Sequence, residues 1–166
     1  MDILKIPHDR VAVLIGSGGE TKRLIEEKAG IKLKISEEGE VEISGEDSFN
    51  EWRARDVIKA IGRGFNPKIA LKLLNEDIHF ELIDLDDILQ SDKAKKRQKA
   101  RIIGEDGRAW QTIEELSNAK VSVYGDTVAF IGTHEQIAAA KDAVLDLVRG
   151  ARHRTAFIKL VKRRKE

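Results

Sequence analysis

Hydrophobic and polar residues follow one order of elements along the first half of the chain. A short strand is predicted at Ile3–Ile6, and a short helix or turn at Val11–Ile15. A helical period predicts a helix over Glu20–Ala29. Residues of Ile31–Ser44 alternate between apolar and polar types on either side of a turn, which predicts a hairpin of two half-buried strands. A long helix is expected after Asp47 or Ser48, because aspartate and serine are both favourable N-terminal caps.

The same order returns in the second half of the chain. A strand is predicted at Ile78–Ile83, a helix at Ala109–Leu116, a hairpin over Val121–Ile131 and a last helix after Thr133. The segment Asp84–Lys99 has no clear period and is interpreted as an insertion, acidic first and basic later, with Asp84, Asp86 and Asp87 in a solvated loop. The repeated order of strand, helix, helix, strand, strand and helix predicts an α+β protein made of two similar modules.

Two segments have no counterpart in the repeat. Asn66 and Pro67 favour the start of a helix that joins the modules. The expected domains are therefore residues 1–76, including this linker helix, and residues 77–166, including a basic tail. Within that tail, the apolar residues of Ala156–Val161 are expected to dock on the second module or on a partner.

A Gly-x-x-Gly motif stands at the same place in both copies. Gly16 is as far from Gly104 as Gly19 is from Gly107, and the register slips by one residue only later, in the hairpin turn. Turns tolerate such slips. The constant spacing therefore indicates an internal duplication, with the motif as a feature of the repeated unit.

The chemistry of this motif favours a phosphate. Two glycines with two residues between them let the backbone turn sharply and leave its amides uncovered. A helix that starts directly behind them adds the positive end of its dipole. Two other phosphate motifs do not fit, because a P-loop and a Rossmann fingerprint would both need glycine at Thr21. The P-loop would also need serine or threonine at Arg23.

With predicted helices on both sides of the motif, the chain resembles a pair of type I KH domains over about residues 1–64 and 78–150. The resemblance implies two tandem βααββα domains, each a three-stranded sheet covered by three helices. It also implies that each loop holds the backbone of about four single-stranded nucleotides. The candidate groove residues are Val13, Leu14, Ile15, Leu24 and Ile35 in the first module, and Ile102, Ile103, Ile113 and Val123 in the second.

The predicted RNA-binding residues are those of the two loops and the nearest cations. Glu105 and Asp106 depart from the basic loop that KH domains prefer, whereas the basic run Lys93–Arg101 precedes the same loop. The resemblance favours the second module as the main clamp, because eukaryotic relatives tend to keep its loop and lose the first. The predicted set is Gly16, Ser17, Gly18, Gly19, Lys22, Arg23, Arg101, Gly104, Glu105, Asp106, Gly107 and Arg108.

The linking stretch Ile61–Leu74 makes the resemblance more specific. Together with the two modules and the strand after it, this stretch is similar to that of the archaeal KH-protein family of small-subunit ribosome assembly factors. These are relatives of the eukaryotic pre-rRNA processing protein that partners the 3′-end endonuclease. The resemblance implies single-stranded RNA near the 3′ end of small-subunit rRNA as the ligand. It also implies contacts with the alpha subunit of initiation factor two and with the endonuclease.

Composition changes this interpretation little. The 166 residues carry a net charge of +1 and no cysteine, which excludes disulfides and thiolate metal sites. No apolar run reaches membrane-spanning length, so we expect a cytoplasmic protein without a membrane partner. The four histidines lack metal-ligand spacing, and neither a metal nor a cofactor is expected. Trp52 is expected in the core, whereas Trp110 follows the second loop closely enough to touch RNA.

Three functions remain open from the residues and the resemblance together. The first is a non-catalytic RNA-binding protein of ribosome assembly or rRNA processing. The second is a protein–protein adaptor on the ribosome or the initiation machinery, with KH folds that partly lack RNA binding. The third is an enzyme acting on RNA or nucleotides, and no catalytic residues are predicted for it, because the chain offers no paired carboxylates and no nucleophile with a base.

Overall fold

The computed structural model describes residues 1–165, which divide into two compact units, Met1–Glu76 and a second unit that begins at Asp77. Each unit has a three-stranded antiparallel sheet whose third strand in sequence lies between the other two. Each also has the order strand, helix, helix, strand, strand, helix. The predicted α+β fold of two βααββα modules is therefore confirmed.

The first unit pairs its last strand with both of the others, in the order β1-β3-β2. A short helix and a 3-10 turn over Leu71–Leu74 follow the repeated elements. The elements are β1 (Asp2–Lys5), α1 (Val11–Ile15), α2 (Glu20–Ala29), β2 (Lys32–Ile35), β3 (Glu40–Ser44), α3 (Ser48–Gly62) and α4 (Pro67–Ala70).

The second unit repeats this topology with the strand order β4-β6-β5 and adds one helix at its end. The elements are β4 (His79–Asp84), α5 (Asp92–Ile103), α6 (Arg108–Ser117), β5 (Lys120–Tyr124), β6 (Thr127–Gly132), α7 (His134–Val148) and α8 (His153–Arg164).

Each unit has its own apolar core between helices and sheet. In the first unit, Val41 and Ile43 of β3 are fully buried, whereas Glu42 between them is not, as the period of a strand requires. In the second unit, Ala156 and Leu160 of α8 join the core that contains Phe130. The segment Ala156–Val161 therefore docks on the second module.

Side-chain caps set where several helices begin. The side chain of Asp47 accepts a hydrogen bond from the amide of Phe49 (2.9 Å), and that of Thr133 accepts one from the amide of Gln136 (3.2 Å). The side-chain oxygen of Gln136 in turn accepts a hydrogen bond from the Thr133 amide (3.0 Å), which completes a capping box. These bonds satisfy amides that a helix start otherwise leaves without a partner.

The insertion Asp84–Lys99, for which the sequence predicted no helix, is helical over its second half. After a 3-10 turn at Leu85–Asp87, the chain enters α5 at Asp92. Ser91 caps this helix by accepting a hydrogen bond from the amide of Ala94 (3.1 Å). The helix buries little apolar surface, so its sequence shows only a weak hydrophobic period. The N-terminal cap is the main sequence signal for this helix.

The prediction that Trp52 lies in the core is also wrong. Its side chain is 65% exposed and stacks on Phe49, with ring centroids 6.0 Å apart. Helix α3 buries Ala54, Ile58 and Ile61, and a residue two positions before Ala54 falls on the opposite side of the helix.

We predict that residues 1–76 fold without the rest of the chain, because this unit supplies its own sheet, helices and apolar core. The fragment should show a single cooperative thermal transition by circular dichroism. A fragment that loses signal gradually, without a sigmoidal transition, would mean that the two units share a core and that this boundary is misplaced.

Candidate nucleic-acid interface

The two Gly-x-x-Gly loops have nearly the same backbone conformation. Gly16 adopts φ 75° and ψ 176°, and Gly104 adopts φ 75° and ψ 177°. Two residues later, Gly18 adopts φ 59° and ψ 21°, and Asp106 adopts φ 56° and ψ 26°. The second loop therefore holds an aspartate in the left-handed conformation that the first loop gives to glycine, a region that aspartate tolerates better than most residues.

The first glycine of each motif is required by both conformation and space. Its φ and ψ lie in a region that is essentially restricted to glycine. A Cβ atom at Gly16 would lie 2.2 Å from Oγ1 of Thr21, and one at Gly104 would lie 2.6 Å from Cβ of Ala109. By contrast, a Cβ atom at Gly107 would meet no atom within 4 Å. The first glycine therefore closes the bend, and the last one faces open space.

The loops present backbone amides at the start of a ten-residue helix. Ser17 and Gly18 are exposed in the first loop, as are Glu105 and Asp106 in the second. The amides of Gly19 and Gly107 already donate to the carbonyls of Gly16 and Gly104 (3.2 and 3.3 Å). The helix dipole adds partial positive charge at this end. Each loop can therefore hold an anion on its backbone, although the two carboxylates of the second loop oppose this.

Cations near the loops differ in how they are held. Arg23 is exposed and its Nη1 donates to the carbonyl of Gly18 (2.9 Å), Lys22 is half-buried, and Arg108 is exposed. Arg101 is half-buried, and its guanidinium donates to the carbonyls of Leu147 and Ala151. Arg101 therefore ties α5 to the end of α7 and satisfies carbonyls there.

The basic run before the second loop is partly neutralised within its own module. Lys99 bonds to Asp126 (3.1 Å), and Lys95 pairs with Asp86 and lies 3.6 Å from Asp126. Hydrogen bonding from Lys99 lowers the pKa of Asp126, and hydrogen bonding to Asp86 and Asp92 raises the pKa of Lys95. The exposed cations of this helix are Lys93, Lys96 and Arg97.

Burial separates the candidate groove residues into two sets. The fully buried side chains are core and are closed to a ligand: Leu14, Ile102 and Ile113. The half-buried or exposed side chains can form the floor of a groove: Val13, Ile15, Leu24, Ile35, Ile103 and Val123.

Sequence reasoning missed His153 and Phe157 of α8, which lie beside the second loop. Both line a cavity of about 220 Å³ together with Gly104, Glu105, Arg108, Ala109 and Thr112. Nε2 of His153 donates to the carbonyl of Arg101 (2.7 Å), and this bond holds α8 near the loop. The repeat could not reveal these residues, because α8 has no counterpart in the first module.

Other side chains singled out in the sequence have structural roles or no site. Trp110 is half-buried, and its Nε1 donates to the carbonyl of Val121 (2.7 Å). His79 and His134 stack with centroids 3.7 Å apart. Within residues 1–165, no group of three or more His, Asp or Glu side chains could hold a metal ion. None of the helices described is both long and apolar enough to cross a membrane.

A βααββα module with an exposed Gly-x-x-Gly loop between its first two helices is a type I KH domain, and the chain has two. Family profiles agree: "Eukaryotic type KH-domain (KH-domain type I)" matches residues 79–165, and "KH domain" matches residues 1–60. The chain belongs to the archaeal two-KH-domain protein family related to eukaryotic pno1. The resemblance predicted from the sequence is thereby confirmed.

Similarity to three relatives supports this family membership. A KH domain-containing protein of Methanocaldococcus jannaschii is 48% identical over 161 residues, covering 95% of this chain and 71% of the relative. The RNA-binding protein pno1 of Dictyostelium discoideum is 26% identical over 163 residues, covering 93% of this chain and 68% of the relative. A chain in the crystal structure of an a/eIF2alpha-aDim2p-rRNA complex from Pyrococcus horikoshii is 48% identical, with a TM-score of 0.92 and coverage of 99% and 93%.

We predict that Gly104→Ala destabilises the protein more than Gly107→Ala. Gly107 is left-handed and open, so alanine there should lower the free energy of unfolding by roughly 1–2 kcal/mol. Alanine at Gly104 also brings its Cβ 2.6 Å from that of Ala109, which should add about 1–3 kcal/mol. Urea denaturation followed by circular dichroism measures both values. Equal losses would contradict the assignment of Gly104 as the residue that closes the bend.

Proposed function

We propose that this protein is a non-enzymatic, single-stranded RNA-binding factor of small-subunit ribosome assembly or rRNA processing. The observation that carries the proposal is the pair of exposed Gly-x-x-Gly loops, each with its amides at a helix start. The names of relatives support it: one is an RNA-binding protein, and another was crystallised with rRNA. We further propose that the bound sequence lies near the 3′ end of small-subunit rRNA and that the protein acts in the cytoplasm.

In this proposal the loops bind phosphates and the apolar grooves bind bases. The backbone amides of the two loops position the RNA without reading its sequence. Bases would turn away from the phosphates onto half-buried apolar side chains such as Ile103 and Val123. Arg101 would support RNA binding indirectly, because its guanidinium is bonded to the carbonyls of Leu147 and Ala151 and would not contact RNA. The proposed contacts are Gly16, Ser17, Gly18, Gly19, Lys22, Arg23, Gly104, Glu105, Asp106, Gly107 and Arg108.

Two protein partners belong to the proposal. The alpha subunit of initiation factor two is supported by the Pyrococcus horikoshii complex, whose name includes a/eIF2alpha together with aDim2p and rRNA. The 3′-end endonuclease rests on the family resemblance alone. Titrating each purified protein into this chain, with and without RNA, separates the two partners.

An adaptor function is the second candidate, and one observation favours it for the first module. Phe49 and Trp52 are 49% and 65% exposed and stack on each other, with Arg53 5.3 Å from the centre of the Phe49 ring. Exposed aromatic residues beside an arginine are typical of protein contacts. A salt-dependent shift assay with single-stranded RNA distinguishes a binder from an adaptor.

We predict that the protein prefers single-stranded RNA to a duplex of the same sequence. A duplex cannot turn its bases into a narrow apolar groove. The affinity should also fall with salt, with a logarithmic slope of about 0.7 for each phosphate contact. Fluorescence anisotropy at several salt concentrations measures both quantities. Equal or tighter binding of the duplex would eliminate the KH mechanism.

We predict that Gly107→Asp weakens RNA binding more than Gly19→Asp, because the second module is the main clamp. Exposed cations near the second loop, such as Lys96 and Arg108, should outweigh Glu105 and Asp106, since exposed charge pairs contribute about 1 kcal/mol or less. The structure reduces this advantage, because Lys95, Lys99 and Arg101 are engaged within the module. The ranking therefore rests mainly on the remaining cations and on the family resemblance.

The matched controls for this ranking are Gly107→Asn and Gly19→Asn. Asparagine has the shape of aspartate and tolerates a left-handed backbone, so each pair of variants differs only in charge. Affinities for a single-stranded probe with the rRNA 3′-end sequence should be compared after each variant is shown to be folded. A larger aspartate-specific loss at Gly19 would assign the clamp to the first module.

A further inference from the structure

The basic side chains on the two long sides of α8 differ in their ion pairs and hydrogen bonds. On one side, Lys159 pairs with Asp146 (3.2 Å) and Arg163 pairs with Asp142 (2.6 Å). Arg164 donates to the carbonyl of Glu115 (3.2 Å). These cations are therefore committed to the second module itself.

The opposite side of α8, which we call the α8 flank, has cations without such partners. The flank consists of Arg154, Phe157, Ile158, Val161, Lys162 and Lys165, which line a shallow groove of about 370 Å³. Among residues 1–165, no acidic side chain lies within ion-pair distance of its three cations. Ile158 and Val161 are 42% and 38% exposed, so apolar surface lies open between the charges.

The α8 flank is continuous with the second loop. Phe157 lines both the groove of the flank and the cavity that contains Gly104 and Arg108. The Phe157 ring also contacts that of His153, with centroids 5.9 Å apart, and His153 is bonded to the carbonyl of Arg101. A chain held at the loop can therefore continue over Phe157 onto the flank.

We propose that the α8 flank is a second RNA-binding surface, which holds nucleotides adjacent to those gripped by the second loop. The inference rests on the proposed RNA-binding function and extends it. Arg154 and Lys162 lie two helical turns apart, about 12 Å along the axis, and can neutralise successive parts of a phosphate backbone. Phe157 and Ile158 between them offer apolar surface to bases, and a flat aromatic ring accepts any base.

The charge distribution favours RNA over a protein segment as the occupant. Glu105 and Asp106 weaken the hold of the second loop on phosphate, and the flank, which meets the loop cavity at Phe157, supplies unpaired positive charge. The residues from Arg149 to Lys165 include no acidic side chain, so nothing on this helix opposes a polyanion. The second loop can bind anions and the α8 flank has unpaired cations, so one continuous polyanion such as RNA can contact both.

Two double variants of α8 test the inference. The flank variant combines Arg154→Gln with Lys162→Gln. The control combines Lys159→Gln with Arg163→Gln, which removes the same charge from the other side of the same helix. Two single-stranded RNA probes share one core sequence: the short probe has about four nucleotides, the reach of a KH loop, and the long probe has about twelve. Thermal melting of each variant confirms that it is folded.

The flank variant should lose on the order of 10-fold in affinity for the long probe at 0.1 M salt, and its salt slope should fall by about 1.4. Its affinity for the short probe should equal that of the unmodified protein. The control should bind both probes like the unmodified protein.

Three outcomes would overturn the inference while the proposed function stands: an unchanged affinity of the flank variant for the long probe, an equal loss for both probes, or an equal loss in the control. The first outcome would leave the flank to a protein partner. If the unmodified protein binds neither probe, the proposed function and this inference fail together.

Discussion

The bend at the first glycine of each motif is the constraint on which the rest of each module depends. At Gly16 and Gly104 the backbone occupies a region that side chains exclude, and the next helix packs closely against the bend. This contact lets two helices meet at a sharp turn, so that Leu14 and Ile25 of the first module can share one core. The same bend keeps the following residues at the surface, where their amides are available.

The two Gly-x-x-Gly loops have nearly the same backbone conformation but different electrostatic surroundings. The first loop has no charged residue between its glycines, whereas the second has Glu105 and Asp106. In the second module, acidic side chains such as Asp126 also neutralise part of the basic helix before the loop. A duplicated backbone therefore does not imply duplicated chemistry, and the difference between the modules lies in side chains around a conserved bend.

Arg101 links the parts of the second module that surround its loop. Its side chain holds the carbonyls of Leu147 and Ala151, and its own carbonyl accepts a bond from His153. One residue thus fixes the end of α7, the turn after it and the start of α8. In the sequence it resembles any other cation before a glycine loop, and only the packing of three helices assigns it a structural contact.

The sequence predicted the features that depend on local pattern. Alternation at Val41 and Ile43 identified strands, and the spacing of Gly16 and Gly104 identified the repeat. Features that depend on packing could not be predicted. Leu14 and Ile15 are neighbours of the same chemical type, yet one is fully buried and the other remains accessible. Helix α5 has too few apolar residues to show a helical period, so Ser91 at its N-terminal cap was the one local signal of this helix in the sequence.

The different settings of the two tryptophans have a consequence for spectroscopy. The first module carries Trp52, which is 65% exposed, and the second carries Trp110, whose indole nitrogen is bonded to the carbonyl of Val121. Water molecules reorient around an excited indole, so an exposed tryptophan emits at longer wavelength than one that packs against a core. The unlabelled chain, with these as its two tryptophans, thus contains one built-in fluorophore for each module.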